Sequence, residues 1–187
     1  MLLVRRVCSG AEDGTISLWR VGAERAEGVG SLSVRPDGAS GSASNLAIST
    51  RAGEPVEGTI LFSGGADYRV HMFDLTTRTL LHTLTGHTGT VISMAWSPDG
   101  AYLASGSSDY TVRVWNAISG AELHTLTGHT HWVYSVAWSG DGTRLACGDD
   151  TAKVMVRNGA SGETLSENEL VKRQGGRVRS VRSVSWS

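Results

Sequence analysis

Short runs of alternating apolar and polar residues recur along the chain, and turn-forming residues separate them. In the run TVRVW, Val112 and Val114 occupy every second position, which is the period of a β-strand. This run belongs to a series that reads VISMAW, SPDG, AYLASGS, SDY, TVRVWN, ISG and AELHTLT, in which apolar runs alternate with turns. Helical periodicity does not extend over a useful length anywhere in the sequence. We therefore predict an all-β chain of short antiparallel strands.

The strand-and-turn unit repeats at a spacing of 42 residues. A shift of 42 places His87 on His129, Trp96 on Trp138, Asp99 on Asp141 and Leu103 on Leu145. Weaker copies lie at both ends, where VCSGAEDGTISLW matches LASGSSDYTVRVW and GRVRSVRSVSW matches GHTHWVYSVAW. One unit of four short strands cannot bury both of its faces, so successive units are expected to stack sheet against sheet.

The residues of this unit resemble the WD-repeat β-propeller family. The resemblance rests on the dipeptide GH, a strand that ends in WSPDG, the segment LASGSSD and the strand VRVWN. It covers nearly the whole chain and is strongest over residues 60–162. It implies a β-propeller of four-stranded antiparallel blades, with about four blades in this chain, as a partial or small propeller.

Counting strands divides the chain, taken as a single domain over 1–187, into four blades. We expect blade 1 at about 5–30 with a closing strand at 176–187, blade 2 at 31–85 with an insertion at 39–58, blade 3 at 86–127 and blade 4 at 128–170. The insertion is rich in Gly, Ser and Ala and is predicted to be a surface loop between the first two strands of its blade, with a partner-binding loop as the alternative.

Three arrangements fit this number of strands. The chain could close into a four-blade ring, pair with a second chain in a larger ring, or be a fragment of a longer propeller. We favour pairing or a fragment, because four blades is the low limit for propellers and an open ring exposes its end sheets.

Composition and charge exclude several other classes of protein. The chain is 40% hydrophobic and 19% charged, which indicates a globular rather than a disordered protein. A formal net charge of −1 argues against a nucleic-acid coat or a polybasic membrane binder. Apolar runs such as MLLV are too short to cross a bilayer and lack the order of a secretory signal. With two cysteines, a disulfide framework is not expected, and we predict a cytoplasmic location, with the nucleus as the alternative.

One unit carries a complete set of the residues that the resemblance assigns to a structural hydrogen-bond network, namely His87, Ser105, Asp109 and Trp115. Ser, His and Asp together also suggest a hydrolase. However, this Ser lies within the strand LASGS, without the sharp turn that exposes a nucleophile. We therefore predict a buried network and no enzymatic activity.

The other units carry incomplete versions of this set. The equivalent residues are Ser9, Asp13 and Trp19 in the first unit, Ser63, Asp67 and Phe73 in the second, and His129, Cys147, Thr151 and Arg157 in the fourth. In the fourth unit Thr151 stands at the Asp position, and Asp149 and Asp150 are interpreted as solvated loop residues. His129 and His131 lack a third ligand at a convincing spacing, and no GxxxxGK[ST] motif occurs, so no metal or cofactor is predicted.

The resemblance implies a non-catalytic scaffold for protein–protein interaction, with partners docking on the rim formed by the loops between blades and between the second and third strands. The partner-binding candidates on this rim are Trp132, His131, Asp150, Thr90, Ser108 and Glu12. Trp132 is the strongest of them, because Thr90 holds the same position in the preceding unit and exposed Trp residues often dominate interfaces.

A basic stretch supports an alternative function. Arg177, Arg179 and Arg182 could bind nucleic acid or a phosphoinositide through phosphate groups. Acidic residues just upstream weaken that charge, so nucleic acid is the less favoured partner. Other proteins, including a second copy that completes the propeller, are the predicted partners.

Overall fold

The computed structural model describes residues 5–10, 15–21, 26–33, 45–49, 60–169 and 180–187. Within these residues the chain forms fifteen β-strands and no helix. Neighbouring strands pair in an antiparallel manner in every sheet, for example β9 with β10 through Ser105↔Arg113. The predicted all-β fold class is therefore confirmed.

The strands form four sheets that follow one another along the chain. The first sheet contains β1 (Arg5–Gly10), β2 (Thr15–Val21) and β3 (Ala26–Ser33). The second contains β4 (Asn45–Ser49), β5 (Ile60–Gly64), β6 (Val70–Asp74) and β7 (Thr79–Leu84). The third contains β8 (Val91–Trp96), β9 (Tyr102–Ser107), β10 (Val112–Asn116) and β11 (Glu122–Leu126). The fourth contains β12 (Val133–Trp138), β13 (Arg144–Asp149), β14 (Lys153–Asn158) and β15 (Thr164–Glu169).

The sheets stack through one repeated contact between a valine and a glycine. Val133, at the start of β12, packs on Gly106 of the preceding sheet, where an added Cβ would lie 2.8 Å from the valine Cγ1. Val91 makes the same contact with Gly64 one sheet earlier. Both valines are fully buried. Only glycine leaves room for this approach, so the first strands of the third and fourth sheets can lie directly on the preceding sheet.

Residues 180–187 continue this stacking although they are not part of a strand. Val181 packs on Gly148 of β13, and its N–H donates to the Asp149 carbonyl at 2.8 Å. The Val184 N–H donates to Ser135 Oγ at 3.0 Å, and the Trp186 indole N–H donates to the Ala137 carbonyl at 3.0 Å.

The same contacts join the fourth sheet to the third. There the Val136 N–H donates to Ser93 Oγ, and the Trp138 indole N–H donates to the Ala95 carbonyl. Residues 180–187 therefore lie where the first strand of a further sheet would lie.

The closing strand predicted at 176–187 stays a prediction. Residues 180–187 lie against the fourth sheet, and in the described part of the chain the first sheet consists of β1, β2 and β3 alone. Residues 176–179 lie outside the described residues, and the predicted blade boundaries stay a prediction.

The predicted insertion at 39–58 is wrong in its middle part. Strand β4 lies inside it and pairs with β5 from Asn45↔Gly64 to Ser49↔Ile60. The short run NLAIS is framed by Gly, Ser and Ala, so the composition of the whole segment concealed it. The segment that was expected to precede the insertion as a first strand instead contributes to β3, which extends to Ser33.

No helix that could cross a membrane occurs in the described residues.

Candidate interaction surface

The third sheet contains the complete hydrogen-bond network predicted from the sequence. The Trp115 indole N–H donates to Ser105 Oγ at 2.8 Å, and Ser105 Oγ lies 2.8 Å from His87 Nε2. On the other side of the ring, His87 Nδ1 lies 2.8 Å from Asp109 Oδ2. Since the carboxylate accepts, Nδ1 carries the proton, and the Ser105 hydroxyl donates to Nε2. The chain of donors therefore runs from Trp115 through Ser105 and His87 to Asp109.

Asp109 links this buried network to the loops at the edge of the sheet. Its carboxylate also accepts from the Thr88 N–H at 2.9 Å and from the Thr111 hydroxyl at 2.6 Å. Burial raises the pKa of Asp109, but the hydrogen bonds from His87, Thr111 and Thr88 outweigh it and lower the pKa below its ordinary value. The ionised carboxylate fixes both neighbouring loops in place.

The network lacks the geometry of a nucleophilic site. Ser105 is fully buried, and its oxygen accepts the Trp115 N–H. A serine nucleophile must instead face the substrate beside an oxyanion hole. The arrangement of His87, Ser105 and Asp109 is therefore suited to holding loops.

In the fourth sheet the carboxylate that accepts from the histidine comes from a residue that the 42-residue repeat does not align with Asp109. His129 Nδ1 donates to Asp149 Oδ2 at 2.8 Å, and Thr151, which was expected at the acid position, donates its hydroxyl to Asp149 Oδ1 at 2.7 Å. Asp149 is fully buried, so its interpretation as a solvated loop residue is wrong. His129 Nε2 lies 3.1 Å from Cys147 Sγ, which takes the place of the serine.

Burial determines the protonation of this second network. It lowers the pKa of His129, against the Asp149 hydrogen bond, and it raises the pKa of the Cys147 thiol to about 12. The imidazole is therefore neutral, and the thiol is protonated. Arg157, in the place of Trp115, donates to the Thr164 hydroxyl at 2.6 Å and to the Thr127 carbonyl. Arg157 on β14 thus stands where the third sheet has its aromatic donor.

The second sheet holds its loop with a histidine that sequence reasoning missed. His71 Nε2 lies 2.7 Å from Asp67 Oδ2, within the same hairpin. This histidine lies on β6, whereas the histidines of the third and fourth sheets precede the first strand. Its spacing of four residues from Asp67 was the available signal. In the first sheet Asp13 lies outside the described residues, as do the side chains of Ser9 and Trp19.

The predicted partner-binding residues of the last two sheets lie together at one edge. The Ser108 N–H donates to the Thr90 carbonyl at 2.9 Å, and the Asp150 N–H donates to the Trp132 carbonyl at 3.1 Å. These bonds join the loop before each sheet to the turn between its second and third strands. The remaining predicted rim residue, Glu12, lies outside the described residues.

Aromatic rings cover this edge between the third and fourth sheets. His131 stacks on Tyr110 with ring centroids 5.8 Å apart and contacts Trp132 at 5.7 Å. Trp132 in turn meets Tyr134 edge to face at 6.2 Å. Trp132 is 43% exposed and Tyr110 is 42% exposed. We call Tyr110, His131, Trp132 and Tyr134 the aromatic edge.

Two tyrosines in the turns between the second and third strands of their sheets were not predicted. Tyr110 and Tyr68 occupy the same turn position 42 residues apart, and both have a left-handed backbone, with φ of 71° and 65°. A tyrosine adopts that conformation at a cost of about 1–2 kcal/mol. Their recurrence in the motif SDY and ADY was the sequence signal that could have found them.

The basic stretch is described only in part. Arg177 and Arg179 lie outside the described residues. The Arg182 guanidinium lies 4.3 Å above the ring of Tyr134, so it extends the aromatic edge rather than standing free. The described residues contain no group of three or more His, Cys, Asp or Glu side chains that could hold a metal ion.

Comparison with known proteins agrees with this arrangement of sheets. The family model described as WD40, WD domain, G-beta repeat, matches residues 78–116 and 120–155. A WD40 propeller in the "Crystal Structure of Mitotic Checkpoint Complex" is similar over 98% of this chain, with a TM-score of 0.75 and 21% sequence identity. The match covers 50% of that chain, so the present chain spans half of its length. Residues 78–116 and 120–155 therefore match the WD40 repeat model, and the chain has the fold of a β-propeller.

Proposed function

We propose that this chain is a non-catalytic scaffold that binds other proteins, and that a partner docks on the aromatic edge. The observation that carries the proposal is the exposure of Trp132 within a continuous group of rings at the junction of two sheets. Exposed aromatic rings in fixed positions supply large contact areas at a low entropic cost.

The loops that carry these rings are held from below. Asp109 binds both loops of the third sheet, and Asp149 does the same in the fourth through His129 and Thr151. A surface that is ordered before binding loses less conformational entropy when a partner docks. The buried networks thus support recognition without taking part in it.

The remaining rim candidates extend the proposed surface. Thr90 and Ser108 lie in the loops of the third sheet, and Asp150 lies beside Trp132 in the fourth. The similar solved chain belongs, by its title, to a mitotic checkpoint complex. That likeness supports protein binding as the general function and leaves the partner of this chain unidentified.

Partner capture with matched variants tests the proposal. Trp132→Ala removes the central ring of the aromatic edge. Ile118→Ala removes an apolar side chain that is 72% exposed in a turn at the opposite end of the strands. We expect Trp132→Ala to lose proteins that the wild-type chain retains, whereas Ile118→Ala keeps them. Equal retention by both variants, with unchanged thermal unfolding, would contradict docking at this edge.

We also propose that further strands, from a second copy or a longer chain, pair with residues 180–187 and complete a further sheet. Val181, Val184 and Trp186 already make, on the fourth sheet, the same contacts that join the fourth sheet to the third. Light scattering tests pairing, because a species of two chain masses supports a second copy. A single chain mass, retained at high concentration, would argue against pairing with a second copy.

Two predictions stay open beside this proposal. Binding of nucleic acid or a phosphoinositide through Arg177, Arg179 and Arg182 predicts a steep loss of affinity with salt, and salt-independent binding would exclude it. A cytoplasmic or nuclear location also stays a prediction.

A further inference from the structure

One cation already lies on the aromatic edge. Arg182, from the last described segment, places its guanidinium 4.3 Å from the centre of the Tyr134 ring. A guanidinium in this position is attracted by the electron-rich face of the ring. The structure therefore contains an internal example of a cation bound by this group of rings.

The neighbouring ring of Trp132 is a stronger binder of cations than the ring of Tyr134, and it is more exposed to solvent. Trp132 contacts Tyr134 edge to face, and 43% of its surface is exposed. Indole binds cations better than phenol does. No described cation lies on the Trp132 ring, whereas Tyr134 has Arg182.

A carboxylate supplies negative charge next to Trp132. The backbone N–H of Asp150 donates to the Trp132 carbonyl, which fixes the two residues side by side. Its side chain is 31% exposed, and Oδ2 lies 3.4 Å from Nδ1 of His131. His131 in turn stacks on Tyr110. The open part of the edge thus combines flat rings with one accessible carboxylate.

We propose that Tyr110, His131, Trp132 and Asp150 form a subsite that takes an arginine side chain of a partner protein. This inference rests on the proposed function and names the chemistry that its surface recognises. Arginine fits better than lysine, because its planar guanidinium can stack on a ring while its N–H groups reach the carboxylate. An anionic side chain would meet the Asp150 carboxylate and be repelled.

Peptide binding followed at the Trp132 indole tests this assignment. The probes are the peptide acetyl-GSGRGSG-amide, the same peptide with lysine, and the same peptide with citrulline, which keeps the shape of arginine but carries no charge. The Trp132 indole N–H resonance of the ¹⁵N-labelled chain is assigned by its loss in Trp132→Leu. We expect the arginine peptide to shift this resonance at millimolar concentration and to bind about two- to fivefold more tightly than the citrulline peptide.

Variants separate the cation contact from a general apolar contact. Trp132→Leu keeps an apolar side chain but removes the ring, so the difference between arginine and citrulline should disappear. Asp150→Asn should reduce that difference, and Ile118→Ala should leave it unchanged. Equal shifts with arginine and citrulline peptides, or no shift of the Trp132 resonance, would overturn the inference.

Failure of the arginine subsite can be distinguished from failure of the proposed function. If partner capture depends on Trp132 but the arginine and citrulline peptides bind equally, docking at this edge stands and the arginine subsite is removed. If partner capture does not depend on Trp132 and the peptides show no preference for arginine, both proposals are removed.

Discussion

The Nδ1 proton of His129 is donated to Asp149, a residue that the 42-residue repeat aligns with Ser107 rather than with Asp109. Both side chains are buried, and the bond is 2.8 Å long. In the third sheet the acid lies in the turn after β9, whereas in the fourth it is the last residue of β13. The fourth sheet therefore keeps the connection between histidine and loop although the aligned acid is missing.

Replacing Asp149 tests this connection. Asp149→Ala removes the acceptor of His129 and of the Thr151 hydroxyl, so we expect the free energy of unfolding to fall by about 1–3 kcal/mol. Asp150→Ala is the matched control, because its carboxylate is partly exposed. Urea unfolding measures both variants. A larger loss for Asp150→Ala than for Asp149→Ala would contradict the assignment.

The protonation of His129 predicts a pH dependence of stability. Burial lowers its pKa in the folded chain, whereas the unfolded chain takes up the proton at an ordinary pKa of 6.5. Below pH 6.5 the unfolded state therefore binds more protons, and stability falls with decreasing pH until the lowered folded pKa is reached. The slope contributed by this one group is at most about 1.4 kcal/mol per pH unit.

Comparison with His129→Gln isolates this contribution from that of other titrating groups. Lys153 and Arg157 face His129 and oppose its charging, while Asp149 favours it. We expect unfolding free energies measured between pH 7.5 and 5.5 to decline less steeply in His129→Gln than in the wild-type chain. Parallel curves for the two proteins would show that His129 is not held neutral.

Close approach at Gly148 predicts that a single methyl group loosens residues 180–187. A Cβ at Gly148 would lie 2.4 Å from Cγ1 of Val181, whereas a Cβ at Gly140 would meet nothing within 4 Å. Gly148→Ala should therefore increase amide hydrogen exchange at Val181 and Val184, and Gly140→Ala should not. Unchanged exchange at these amides in Gly148→Ala would contradict the packing described for this segment.

The Cys147 thiol should be unreactive in the folded chain. Burial raises its pKa to about 12, and its side chain is fully enclosed beside His129. Since only the thiolate is nucleophilic, alkylation at pH 8 should be slow until the chain unfolds. Mass spectrometry of the Cys147 peptide, with and without urea, measures the difference. Native labelling at the rate of a free thiol would show an open site.

The sequence predicted the parts of the fold that repeat in residue type as well as in position. The third sheet and its network follow directly from His87, Ser105, Asp109 and Trp115, because the aligned residues also make the bonds. Strand β4 was missed because NLAIS carries none of the repeated motifs.

Residues that join the networks from other positions of the repeat could not be predicted in the same way. Asp149 and His71 restore hydrogen bonds from positions that the repeat assigns to other roles, and only three-dimensional proximity reveals them. The contribution of Tyr110 to the aromatic edge also depends on stacking across two sheets. Trp132 was predictable because it differs from Thr90 at an otherwise regular position.

The central claim is that a protein partner contacts the edge that carries Trp132. A photo-crosslinking amino acid placed at position 132, and in a second variant at position 118, tests it in cells that produce the chain. The account predicts that one recurrent protein is crosslinked from position 132 and is absent from position 118. Crosslinks to that protein from both positions alike, or from position 118 alone, would contradict it.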